Sequence, residues 1–263
     1  TGESGDFEKA NFPIGVEGGK TSTCPTQNLM EAYDMKDGTP FVWNNQSNPY
    51  DNRDPRMKYT IVCNEMKWPV DPVEIWEGGT NGLPLQNATT TGYYLKKYVN
   101  NTISFEAGST VTKKQHNWVL FRYGEILLNY AEAMINAFHD PNYKDAVYNM
   151  SAREAVNQIR GRTNISLPGF PSDITEKDFV KRLKNERRVE LAFEGHRFWD
   201  VRRWKELGQT ANIYGVKITK NNEVISYEKF LLETRAVTDN MYFYPIPNTE
   251  RFKNPNLGQN PGW

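Results

Sequence analysis

Apolar positions in the middle of this chain recur at helical spacing, and those on either side do not. Leu120, Tyr123, Leu127, Tyr130, Met134 and Phe138 follow one another at intervals of three and four. Arg122, Glu125, Asn129, Glu132 and Asn136 keep the same rhythm on the other face. The pattern predicts one amphipathic helix of about five turns, with the first set buried and a stop at His139-Asp140-Pro141. A second helix is predicted to start at Ser151, where Glu154 completes a capping box. It should bury Ala152, Ala155, Val156 and Ile159 and end at Gly161. A third opens after Thr175, with Asp178 favouring the positive helix end and Phe179, Val180 and Leu183 starting its stripe. Gly195 separates it from a fourth over residues 196–207.

The flanks read differently. In residues 1–117, Gly and Pro punctuate the chain, as in Asp37-Gly38-Thr39-Pro40, Trp68-Pro69 and Glu77-Gly78-Gly79. Gly accepts positive φ and Pro fixes its own, so these are turns. A short helix over 28–35 and strands over 59–63 and 93–99 are the only regular elements predicted there. Residues 208–263 turn irregular again, with a strand over 213–219 and a Trp263 terminus expected to dock. The fold class is therefore mainly α with irregular loops and short strands. It divides into a loop-rich segment (1–117), helical hairpins (118–207) and a C-terminal segment packing on the helices (208–263). The paired helices resemble tetratricopeptide hairpins, although Trp118 to Glu176 is longer than that 34-residue repeat.

One stretch breaks the pattern. Continuing the third helix's stripe from Leu183 by four and seven lands on Arg187 and Glu190, so charges occupy buried positions. Desolvating a lone charge costs several kcal/mol, so partners are required. Two readings compete. Glu190 or Glu194 could serve as a general acid, or Arg197 as an anion clamp. Alternatively Arg187, Glu190, Arg197 and Asp200 form an ion-pair network tying the helices together. The second is favoured, because structural networks imitate active sites and opposite charges alternate here.

Composition narrows the function classes. Lys plus Arg and Asp plus Glu each total 32 of 263 residues, which gives no whole-chain reason to expect nucleic acid. The 3 His are scattered, and the 2 Cys, Cys24 and Cys63, fit no metal spacing, so neither a metal nor a cofactor is expected. Whether those cysteines are free or paired stays open. Asp51, Asp54, Asp71 and Glu74 could be considered for calcium, but no EF-hand order is present. No apolar run is long enough for a membrane span. The chain opens on Thr1 without a signal-peptide pattern, so we read it as a processed or trimmed product.

Several blocks, taken together, resemble one known family. They are Tyr33-Asp34-Met35-Lys36-Asp37-Gly38, Asn52-Arg53-Asp54-Pro55-Arg56 and Thr91-Gly92-Tyr93-Tyr94-Leu95-Lys96-Lys97-Tyr98. Arg122 to Ala133, Glu186-Arg187-Arg188 through Arg203-Trp204, Tyr244-Pro245-Ile246-Pro247 and Asn260-Pro261-Gly262-Trp263 follow in order. The chain is similar to the C-terminal region of the SusD/RagB family. The resemblance implies a partial fold of tetratricopeptide-like hairpins and a surface lipoprotein of the bacterial outer membrane. It also implies a non-catalytic role, in which the protein captures oligosaccharide, or in some members peptide, for a SusC-like TonB-dependent transporter. The family's N-terminal helices and its lipid anchor lie outside this chain.

Sugar rings stack on indole and phenol faces while their hydroxyls bond to amides and carboxylates. The loop segment offers that mixture in Trp43-Asn44-Asn45-Gln46, Tyr50, Trp68, Trp76 and Asn81. The candidate ligand residues are therefore Trp43, Asn45, Tyr50, Trp68, Trp76 and Asn81, with Trp43 and Trp76 foremost. Core packing under the loops is the competing reading for each. Arg53, Asp54 and Arg56 are expected to be structural. Two other functions remain to be weighed: a glycoside hydrolase using Asp71, Glu74 or Glu77 near Trp76, and a scaffold that binds only protein. No nucleophile motif supports catalysis.

Overall fold

The computed structural model describes residues 3–45 and 48–263. The loop segment holds short elements only: β1 (Glu3–Ser4), α1 (Asp6–Asn11), α2 (Gln27–Met30), α3 (Pro55–Thr60), β2 (Ile61–Val62), β3 (Tyr94–Leu95) and β4 (Lys114–Gln115). β1 pairs with β4, and β2 with β3, both antiparallel. Of the predicted strand at 59–63, Tyr59 and Thr60 end α3 and only Ile61–Val62 are extended, as β2. Asp54 caps that helix by accepting from Arg56 N, and Pro55 at the first position presets its φ. The helix at 28–35 shrinks to one turn, and the strand at 93–99 to two residues. Residues Phe12, Met30, Tyr33, Met57, Ile61, Tyr93 and Tyr94 form a core beneath these loops.

The four predicted helices are present as α4 (Tyr123–Phe138), α5 (Ala152–Arg160), α6 (Glu176–Glu190) and α7 (His196–Arg203). Ser151 and Glu154 form the expected capping box, Thr175 accepts from Asp178 N, and His139 ends α4 in the left-handed region. The buried face of α4 differs from the predicted one. It is Leu127, Leu128, Ala131, Met134 and Ile135, whereas Leu120 and Tyr123 are 78% and 67% exposed. Two overlapping stripes share Leu127 and Met134. The one with small Gly124 and Ala131 lets α5 and α6 approach closely, and Tyr130 stays at the rim with its hydroxyl on Met150 O. Ala152, Ala155, Val156, Ile159, Phe179 and Leu183 complete this second core.

The C-terminal segment contains an unpredicted partner strand. β5 (Asn212–Asn221) and β6 (Val224–Thr234) make an antiparallel hairpin, turning at Asn222 with φ of 54°. Val216, Ile218 and Tyr227 enter the core under the loops, which also takes Val189 of α6. Beyond it comes α8 (Asn248–Lys253). Tyr244 stacks on Phe198 of α7 at 5.9 Å, and the Trp263 indole donates to Asn240 and Phe243 carbonyls while staying 49% exposed. Both cysteines are free; burial pushes the Cys63 thiol up to about 12. Among the described residues no helix is long and apolar enough to cross a membrane.

Candidate functional site

The charges on α6 are paired far beyond the helices. Arg56 of α3 donates to Asp54, to Glu186 at 2.5 Å and to Glu190 at 2.9 Å. Glu190 also accepts from Arg122 at 2.6 Å and from both terminal nitrogens of Arg162 at 2.7 and 2.8 Å. Arg160 reaches Glu186 at 2.7 Å, and Glu194 takes Arg122 and Lys97. Arg187 holds Asp200 at 2.8 Å and Asn129 at 2.6 Å. The seam therefore joins the loop segment to the helices, which sequence spacing alone could not reveal because Arg56 lies 130 residues from Glu186.

This pairing removes the general-acid reading. Burial alone would raise the Glu190 pKa, but the guanidinium groups of Arg162, Arg56 and Arg122 overcome it and hold the carboxyl at about 2. A general acid at neutral pH needs the opposite shift. Glu194 is lowered for the same reason, with Arg122 and Lys97 outweighing burial. Two of the three hydrolase candidates, Glu74 and Glu77, are engaged by neighbours. Glu74 accepts from the Thr80 hydroxyl, and Glu77 pairs with Lys217 at 3.2 Å. The described residues contain no cluster of three or more His, Cys, Asp or Glu able to hold a metal ion, and Asp54 of the calcium set is bound to Arg56. Arg53 donates to the carbonyls of Pro49, Met30 and Tyr33, which locks the loop before α3.

The six candidate ligand residues separate by burial. Tyr50, Trp68 and Asn81 are only 6%, 7% and 6% exposed. Tyr50 packs edge-on against Tyr93 and Tyr227. Trp68 belongs to the same core. Asn81 accepts from Glu74 N at 2.9 Å and donates to Ile14 O at 2.5 Å, stapling two loops. Tyr50 and Trp68 are therefore packed beneath the loops, and Asn81 ties two of them together. Trp43 and Trp76 are half-buried, packed on one side and open on another. Trp43 meets Phe41 edge-on at 6.4 Å and its indole donates to exposed Asn45. Trp76 carries the Lys220 ammonium 4.5 Å above its ring. Gln46 lies outside the described residues. The sequence reading overlooked two exposed indoles. Trp118 is 61% exposed and stacks on Tyr98 at 5.2 Å, and Trp199 is 59% exposed on α7. Trp199 could have been noticed as an aromatic in a run where the charges take the buried positions.

Beside Phe41 lies a cavity of about 480 Å³ between the 31–41 loop, α6 and α7. Arg188 and Arg197 both line it. Arg197 was expected in the ion-pair network; it makes no ion pair with the described residues, and its guanidinium bonds only to neutral Gln209, at 2.8 Å. The reason is positional. Arg187 and Arg203 already hold Asp200, so it attracts Arg197 without pairing with it.

Comparison with known proteins fits this architecture. The sequence profile described as the SusD family matches residues 4–263. SusD-like protein P2 of Formosa agariphila is 29% identical over 163 residues, a stretch covering 60% of this chain and 28% of that protein. A SusD-like protein of Bacteroides fragilis superposes with a TM-score of 0.80 at 26% identity, covering 100% of this chain and 53% of its own. A second B. fragilis structure, described as a SusD-like carbohydrate binding protein, gives a TM-score of 0.75 at 24% identity over 97% of this chain and 52% of its own. The chain thus spans about half the length of these solved structures.

Proposed function

The chain belongs to the SusD family, and on that premise we propose that it binds oligosaccharide without breaking it, using the loop surface around Phe41, Trp43 and Trp76. The observation that carries this reading is the division of labour among side chains. Half-buried indoles are held on one side by a fixed core and leave a ring edge or face for a ligand. The buried carboxylates Glu186, Glu190 and Glu194 are all taken by guanidinium groups. Ring surface beside an amide such as Asn45 suits a sugar, whose C–H face packs on the indole while its hydroxyls bond to the amide. The wider role follows the family. The complete protein sits on the outer-membrane surface through a lipid anchor and passes its ligand to a SusC-like TonB-dependent transporter.

Calorimetric titration with a panel of neutral oligosaccharides, followed by reducing-end analysis of the same samples, tests the proposal. It predicts binding heat for at least one member and no new reducing ends. Cleaved products would make the protein a hydrolase, and absence of heat across the panel would remove the saccharide ligand.

A further inference from the structure

The cavity beside Phe41 has a charge imbalance that the rest of the molecule does not relieve. Its wall carries six cationic and four acidic side chains. All four carboxylates are already committed. Glu31 is held by Lys229 at 2.7 Å, Asp34 by Arg160 at 3.2 Å, Glu186 by Arg56 and Arg160, and Glu206 by Lys184 at 2.5 Å. The Arg188 guanidinium makes no hydrogen bond or ion pair with any described residue, and that of Arg197 meets only Gln209. Burial, reinforced by the like charge of Arg197, pulls the Arg188 pKa down to about 10, so both groups are cations at neutral pH. The carboxylates that attract these two groups, Glu31 for Arg188 and Asp200 and Glu206 for Arg197, are each already held by another cation, so an anion between the pair would supply the direct contact both lack.

We propose that this cavity receives the anionic group of an acidic saccharide, a uronate carboxylate or a sulfate ester, between Arg188 and Arg197. Planar guanidinium forks match both groups, each of which presents two or more oxygens in one plane. The volume of about 480 Å³ admits a sugar residue and its substituent. Phe41 lines the cavity and touches Trp43 edge-on, so a saccharide lying on the indole can place a neighbouring residue's acid group inside. The inference rests on the oligosaccharide reading above and names the ligand class more narrowly. It also returns Arg197 to the anion-clamp role, with Arg188 as its partner.

The test is titration calorimetry of the full chain with three trisaccharides: a neutral galactose trimer, a galacturonate trimer and a sulfated galactose trimer. At least one acidic trimer is expected to bind about tenfold more tightly than the neutral one, as charge-assisted hydrogen bonds to arginine imply. Arg188→Gln and Arg197→Gln should each remove that preference, bringing the acidic trimer to about the affinity of the neutral one. Inorganic sulfate should lower the acidic trimer's affinity for the unaltered chain to that of the neutral trimer, a readout that needs no variant to fold, and should leave neutral-trimer affinity unchanged. Whichever acidic trimer is preferred assigns the group as carboxylate or sulfate. Equal affinity for neutral and acidic trimers, or a preference untouched by both variants, overturns the inference and leaves the saccharide reading standing. Failure of all three trimers to bind overturns both.

Discussion

Arg187 and Arg188 are neighbours in sequence on one helix, yet they face different worlds. Arg187 looks into the seam, where it grips Asp200 and Asn129. Arg188 looks into the cavity beside Phe41 and has no ionic partner among the described residues. The same contrast separates Glu190, bound by Arg56, Arg122 and Arg162, from Arg197, bound only to a neutral amide. Charge content therefore does not distinguish a structural region from a binding one. Partnership does. A buried charge whose hydrogen-bonding capacity is met inside the protein holds the fold, and one whose capacity is unmet is available to a ligand.

The strongest way to break this contrast is to open the seam. Glu190→Ala leaves three guanidinium groups short of a counter-charge and should destabilise the chain by about 3–5 kcal/mol, read as a shift in the denaturant midpoint. A loss below about 1 kcal/mol, the size of an exposed pair, would mean the seam holds nothing. Acid should act through the same residue. Its folded pKa of about 2 is depressed from 4.5, so its contribution is fully present above about pH 4.5 and lost as pH falls through about 2. The loss is on the order of 3 kcal/mol, and Glu190→Gln should flatten that part of a stability-versus-pH curve.

Smaller effects sharpen the other side. Trp43→Ala or Trp76→Ala should weaken oligosaccharide binding by about 1–3 kcal/mol by calorimetry, with the unfolding midpoint little changed. A matching loss of stability would assign the indole to the core instead. Ser151→Ala removes the capping-box acceptor of α5, and should cost about 1 kcal/mol of stability without touching ligand affinity.

The helical half was readable because its signals are local. The Ser151–Glu154 box, the Thr175 cap and the turn at His139-Asp140-Pro141 each act within a few residues. The buried face of α4 was misassigned because Leu127 and Met134 belong to two stripes, and only the approach of α5 and α6 chooses between them. The hairpin was half seen. Val216 and Ile218 gave β5, but the alternation in β6 is weak, with Leu231 and Leu232 adjacent and both exposed. In the site, Arg187 and Glu190 announced a buried network, while the Glu190 partners Arg56 and Arg162 lie too far along the chain for any spacing rule. Nothing local separated Tyr50 and Trp68 from Trp43 and Trp76. Burial of an aromatic beneath a turn is decided by tertiary contacts that its neighbours in sequence do not encode.

Thermal unfolding of Arg187→Gln beside Arg188→Gln tests the central contrast most directly, since the two changes are adjacent and chemically identical. Losing the Asp200 partner should lower the melting temperature by roughly 5 °C or more, whereas removing the unpartnered charge at 188 should leave it unchanged or raise it. Equal losses from the two substitutions would show that Arg188 is a structural cation after all and would contradict the account.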